Sequence, residues 1–198
     1  MPNAILIAAT LAATLPLRVD AQVAFYARAG ATGSSVLVHD VIRGDVDTRP
    51  AVAPTIFLGA STRIAPKYGL GLEASFSTGG LHTDYGTTRT DLGTLRAGSL
   101  LGLLDGAIAG PLRWRAGFGA IHYFASDRAG ILAGGGTTRL LAGGGLDLRQ
   151  AVFSGWDLMV SGRYDFNRFS SPALRSLGFT QTQGVQRVSL SLGLARSQ

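Results

Sequence analysis

"LRWRAGFGA", residues 112–120, alternates without a break. Successive side chains of an extended chain point to opposite faces. Leu112, Trp114, Ala116, Phe118 and Ala120 therefore share one face, and Arg113, Arg115, Gly117 and Gly119 share the other. A period of two predicts a β-strand, and the fold depends on which face is inside. In a water-soluble domain the apolar face packs inward and the arginines meet solvent. In a membrane barrel the apolar face meets lipid and the arginines line the interior.

Seven more segments alternate in the same way: 23–32, 55–64, 70–78, 94–104, 139–149, 156–167 and 185–195. The segment at 94–104 is the least regular, because Leu100 interrupts the face that carries Arg96 and Gly98. Beyond residue 22 no stretch shows helical periodicity. The connections alternate in length: 65–69, 105–111 and 150–155 are short, whereas 33–54, 79–93, 125–138 and 168–184 are longer and rich in Gly, Ser, Thr, Asp and Arg. Such alternation is what an up-and-down barrel produces, with short turns on the periplasmic side and long loops outside. Eight strands place both ends of the barrel on the short-turn side.

Three features put the polar face inside. Glycine recurs on it, at Gly30, Gly59, Gly71, Gly98, Gly117, Gly119, Gly143, Gly145 and Gly193. On a solvated face glycine only weakens a strand; in a narrow lumen it makes room for a neighbouring arginine. The same face carries both signs of charge, with Glu73, Asp147, Asp157 and Asp165 among Arg28, Arg96, Arg113, Arg115, Arg149 and Arg163. A closed lumen must pair such charges, and Arg–carboxylate forks do so well. These ten residues are the expected lumen network, structural rather than catalytic. The apolar face is almost free of charge, as lipid demands, since an Arg or Lys at the bilayer midplane costs about 2–4 kcal/mol. A secreted, lipocalin-like soluble barrel is the alternative. It predicts an outer face rich in Lys and Glu, and this chain has only Lys67 and Glu73. Tyr68, Trp114 and Trp156 lie at or near the short turns, and Phe76, Phe124 and Phe166 near the long loops. They are the expected interfacial girdles.

Composition agrees. Only 15% of the 198 residues are charged, against about 25% in ordinary soluble domains. The absence of cysteine excludes a disulfide framework and thiolate metal sites. The net charge of +6 is spread over dispersed arginines, so nucleic-acid binding is not expected. Residues 4–17 form an apolar run too short for a membrane helix but long enough for an export signal. Val19 and Ala21 fit the small-residue positions of a cleavage site, giving a signal peptide at 1–21 and a barrel domain at 22–198.

On signal segment, strand number, loop alternation and girdle aromatics, the chain resembles the small eight-stranded outer-membrane β-barrels of Gram-negative bacteria, the OmpA/OmpX type. The resemblance implies an all-β, antiparallel up-and-down transmembrane barrel in the outer membrane. Its expected partners are outer-membrane lipid, lipopolysaccharide and the insertion machinery; the expected state is a monomer without cofactor or metal. The chain departs from such barrels in one respect: they usually end in an aromatic residue, and none follows Phe179 here. A non-enzymatic, structural or loop-presenting role is the expectation. The alternative is a lipid A deacylase-like hydrolase using His122 and Ser126, which share the apolar parity in "AIHYFAS", 120–126. Those deacylases carry His and Ser two residues apart, where this chain has Phe124, and no Glu follows Glu73 to orient the histidine. His39, His82 and His122 have no metal-ligand spacing.

Overall fold

The structure, a computed structural model, describes residues 23–40, 46–124, 132, 135–176 and 182–196. The segment 1–21 and Ser126 lie outside them. The chain forms β1 (Val23–Ser34), β2 (Val38–Asp40), β3 (Val46–Pro50), β4 (Ala53–Ala65), β5 (Tyr68–Tyr85), β6 (Thr88–Ala109), β7 (Leu112–Tyr123), β8 (Thr137–Phe153), β9 (Trp156–Phe169), a short helix α1 (Pro172–Ser176) and β10 (Gln183–Arg196). Each of the eight expected strands is present. β1, β4, β5, β6, β7, β8, β9 and β10 pair antiparallel with their neighbours, and β1 closes on β10. Closure leaves no open edge in the ring, so every strand finds partners on both sides.

The size of the ring follows from its register. The ladder can be traced from Ala24 through Ser61, Gly71, Leu103, Gly117, Gly143, Asp165 and Arg187. It returns to β1 at Ser34, ten residues beyond its start. With about 3.3 Å per residue and about 4.8 Å between strands, this stagger around eight strands tilts them by about 40°. A barrel of this size has an interior just wide enough for side chains to fill. Turn chemistry sets two of the three short connections. Gly110 (φ 51°) with Pro111 joins β6 to β7, and Gly155 (φ 79°) follows Ser154 between β8 and β9. Both glycines occupy a backbone region that side chains disfavour.

The segment at 79–93 corrects a sequence expectation. It is not a loop: β5 and β6 continue through it as a hairpin that turns at Gly86 and Thr87. β3 pairs with the extension of β5, and β2 pairs with β3. The cross-strand pairs here are His82–Asp91, Thr83–Thr90 and Asp84–Arg89. Apolar residues are few in this extension, so the pairing leaves no hydrophobic alternation to read. Local polar bonds hold it instead: Arg89 Nε donates to Asp84 Oδ1 at 2.8 Å, and His39 Nδ1 lies 2.7 Å from Asp47 Oδ1. The Arg49 guanidinium, with His39, keeps the Asp47 carboxyl below the usual carboxylate range. β2 and β3 likewise structure part of the expected loop 33–54, and α1 part of 168–184.

Candidate functional site

The interior is layered. In the middle lies Glu73, almost wholly buried on β5. Tyr26 Oη donates to its Oε2 at 2.8 Å and Arg115 Nη1 at 2.7 Å; Arg28 donates to the same oxygen and Arg163 to Oε1. Arg115 Nη2 also lies 2.5 Å from Asp147 Oδ2, and Ser161 donates to Asp147 Oδ1. Arg163 Nε donates to Asp165 Oδ1 at 2.6 Å. Three guanidinium groups thus meet three carboxylates away from water. The Arg28 guanidinium also stacks 4.8 Å from the Phe57 ring, and Arg115 lies 5.2 Å from the Tyr26 ring. Buried charge is tolerable only when paired and hydrogen-bonded, and here each guanidinium has a carboxylate.

The register explains how so many long side chains fit. Arg28 sits opposite Gly193, Glu73 opposite Gly59, Arg115 and Arg163 both opposite Gly145, and Asp165 opposite Gly143. A Cβ at Gly143 would overlap the Asp165 carboxylate, and one at Gly59 would overlap the Tyr26 ring. The glycine–charge pairing is therefore a packing requirement of the narrow lumen.

Toward the long loops the lumen is apolar. Leu81, Leu95, Leu101, Ile121, Leu141 and Val185 pack with Phe169 and with Leu174 of α1. Tyr123 Oη donates to Asn167 Oδ1 at 3.1 Å, and its ring meets Phe169 edge-on at 5.1 Å. The cavity between this cap and Arg187 is only about 20 Å³. Toward the short turns the lumen opens into a polar pocket of about 380 Å³.

Six of the ten charges expected in the lumen, Arg28, Glu73, Arg115, Asp147, Arg163 and Asp165, form the central cluster. Three more sit lower. Arg113 pairs with Asp105 at 2.5 Å, while Arg149 and Asp157 line the pocket at the short-turn mouth. Arg96 is a correction, because it is exposed on the outer face. β6 carries leucine at both parities, so its alternation does not choose a face. The ladder chooses it: Glu73 points inward and pairs with Leu101, which turns Leu95, Leu101 and Leu103 in and Arg96, Gly98 and Leu100 out. Gly98 accordingly faces the Phe124 ring and not an arginine. Arg96→Ala should change stability by no more than about 0.5 kcal/mol, whereas Arg28→Ala should cost about 3–5 kcal/mol. Urea midpoints in detergent micelles test this, and a large loss for the Arg96 variant would mean that it points inward.

Tyr26, Asp105 and Arg187 belong to the lumen although sequence reasoning did not choose them. Tyr26 and Arg187 share the polar parity of Arg28 and Ser189, a signal that was present in the alternation. Asp105 stood at the edge of an expected turn; β6 in fact runs on to Ala109, and Gly69 leaves room for the carboxylate.

Outside, the apolar face forms a continuous belt. Phe25, Leu58, Leu72, Phe118, Leu140 and Leu190 are each more than half exposed. The aromatics expected at the rims point outward. Tyr68 and Trp114 meet edge-on at 6.4 Å, and Trp156 lies against Phe153, all at the short-turn end. Phe76 and Phe124 meet at 6.1 Å at the other end, where Phe166 is also exposed. His122 meets Phe124 edge-on at 4.8 Å, and its Nδ1 lies 2.8 Å from the Thr138 hydroxyl. Among the described residues no group of three acidic, histidine or cysteine side chains could hold a metal.

A closed ring with charges within and apolar side chains without defines an eight-stranded membrane-type β-barrel. Its fold is that of the small eight-stranded outer-membrane barrels. Neisserial surface protein A superposes over 88% of this chain and 96% of its own, with a TM-score of 0.53 and 16% identity. The outer-membrane protein OprG from Pseudomonas aeruginosa does so over 87% and 94%, with a TM-score of 0.51 and 13% identity. No family model and no curated protein sequence matches.

Proposed function

We propose that this chain is an integral outer-membrane β-barrel protein, exported by a signal at residues 1–21 and non-enzymatic. It is a monomeric scaffold that holds its loops and the β2–β3–β5–β6 projection at the cell surface. Outer-membrane lipid, lipopolysaccharide and the insertion machinery are its partners. The observation that carries this reading is the inverted distribution of polarity. A soluble binding barrel needs an apolar lumen with room for a ligand; here the centre of the lumen is filled by ion-paired arginines and the apolar side chains face out. Dimensions support it as well. On the outer face of β10, Gln186 and Arg196 bracket Val188, Leu190, Leu192 and Leu194. Ten residue steps at a tilt near 40° span about 25 Å, the height of a transmembrane barrel's apolar band. Trp114 and Phe124 are also ten steps apart. The packed lumen argues against a wide pore, and among the described residues the partner of His122 is the Thr138 hydroxyl and not the carboxylate a hydrolase would use to orient it.

Cell fractionation tests the reading. The mature protein should sediment with outer membranes and migrate faster on gels unheated than boiled, because the closed barrel resists detergent until heated. Recovery in the soluble periplasm would refute it.

A further inference from the structure

The pocket at the short-turn mouth holds a charge that the fold does not satisfy. Arg113 is matched there by Asp105, with Nε donating at 2.9 Å and Nη2 at 2.5 Å. Arg149 is not matched. Its Nε is shut off from water, and its guanidinium makes no hydrogen bond or ion pair with any described residue. The nearest carboxylate along its own strand, Asp147, is taken by Arg115 and Ser161 deeper in the lumen. Arg63 and Asp157 complete a lining of three guanidinium groups against two carboxylates.

A partly buried arginine whose guanidinium makes no hydrogen bond is costly, and the planar guanidinium fork is the side chain best matched to paired oxygens. The pocket, at about 380 Å³, has room for a small oxyanion and several waters, each of which occupies about 30 Å³ in the liquid. We propose that this pocket is an anion site. It takes a phosphate or carboxylate group on the Arg149 guanidinium, entering from the short-turn side. The proposal rests on the barrel reading only for which compartment supplies the anion: the short turns of an outer-membrane barrel face the periplasm. Free phosphate and the carboxylate end of a chain share the chemistry, and the experiment separates them.

The experiment uses the mature protein folded in detergent micelles, with arginine side chains labelled for NMR. Inorganic phosphate, acetate and chloride are titrated at constant ionic strength. Saturable movement of the Arg149 Nε–Hε resonance is expected with phosphate or with acetate, and whichever binds more tightly identifies the source. Arg149→Gln should weaken the response of neighbouring strand amides at least about tenfold. Arg168→Gln, on the outer face, should leave it unchanged. A dispersed strand spectrum reports the folded barrel separately in each sample, so the anion site and the barrel fail independently. The proposal is overturned if neither phosphate nor acetate gives saturation, if chloride is equally effective, or if the response survives in the Arg149 variant.

Discussion

Glu73→Leu should be the most damaging single substitution in the barrel. The carboxylate accepts from Arg28, Arg115, Arg163 and Tyr26. Removing it leaves Arg115 with Asp147 and Arg163 with Asp165, but Arg28 keeps only the Ser191 hydroxyl, at 3.2 Å. Breaking a buried pair by deleting one partner costs about 3–5 kcal/mol, and here three cations share the partner. Against a typical stability of 5–15 kcal/mol, roughly, that is a large fraction. With a denaturant slope of about 1–3 kcal/mol per molar in urea, the midpoint should fall by about 1–5 M. Should the variant fail to refold, the double variant Arg28→Leu/Glu73→Leu keeps the account testable. Removing both partners should restore part of the loss, and the coupling should appear in a double-mutant cycle. Additive losses would show that the two groups do not form a pair.

Leu190→Arg should be the second large effect, and it depends on the surroundings of the barrel and not on its interior. Leu190 lies midway along the outer face of β10 and is 68% exposed. On a soluble barrel an exposed position of this kind tolerates arginine to within about 0.5 kcal/mol. In a bilayer the same substitution at mid-depth should cost about 2–4 kcal/mol. Gln186→Arg is the control, on the same face of the same strand but near the long-loop rim, where the expected cost is about 0–1 kcal/mol. Folding into lipid vesicles, followed by urea unfolding, gives both values. Equal small costs at the two positions would mean that β10 does not cross lipid.

Legibility in the sequence followed the constraint on each strand. β7 and β10 were readable because lipid allows only apolar residues on one side, while the crowded lumen needs alternating glycine and charge on the other. β6 was not. Its inward face joins the apolar cap through Leu95, Leu101 and Leu103, so both faces are leucine-rich and only pairing with β5 reveals the parity. The projecting hairpin was missed for the opposite reason. Beyond the apolar belt the pattern of Leu72, Ala74 and Phe76 gives way to His82 and Asp84, and a strand without that pattern reads as loop. In the central cluster the charges were visible one by one, but their convergence on Glu73 depends on a ten-residue stagger that no single strand encodes. Arg149 read as one more lumen charge; that its guanidinium makes no hydrogen bond with a described residue follows only from the assembled pocket, where Arg115 pairs with Asp147 and Arg113 with Asp105.

The central claim is that the apolar face of the ring meets lipid. It is tested most directly by quenching of the two native tryptophans with lipids brominated at known depths. Trp114 and Trp156 both lie at the short-turn rim on the outer face. In vesicles each should be quenched most by bromines near the headgroups and least by those at the chain ends, with Trp156→Phe isolating Trp114 and Trp114→Phe isolating Trp156. Quenching strongest at the bilayer centre, or none from any lipid, would contradict the account.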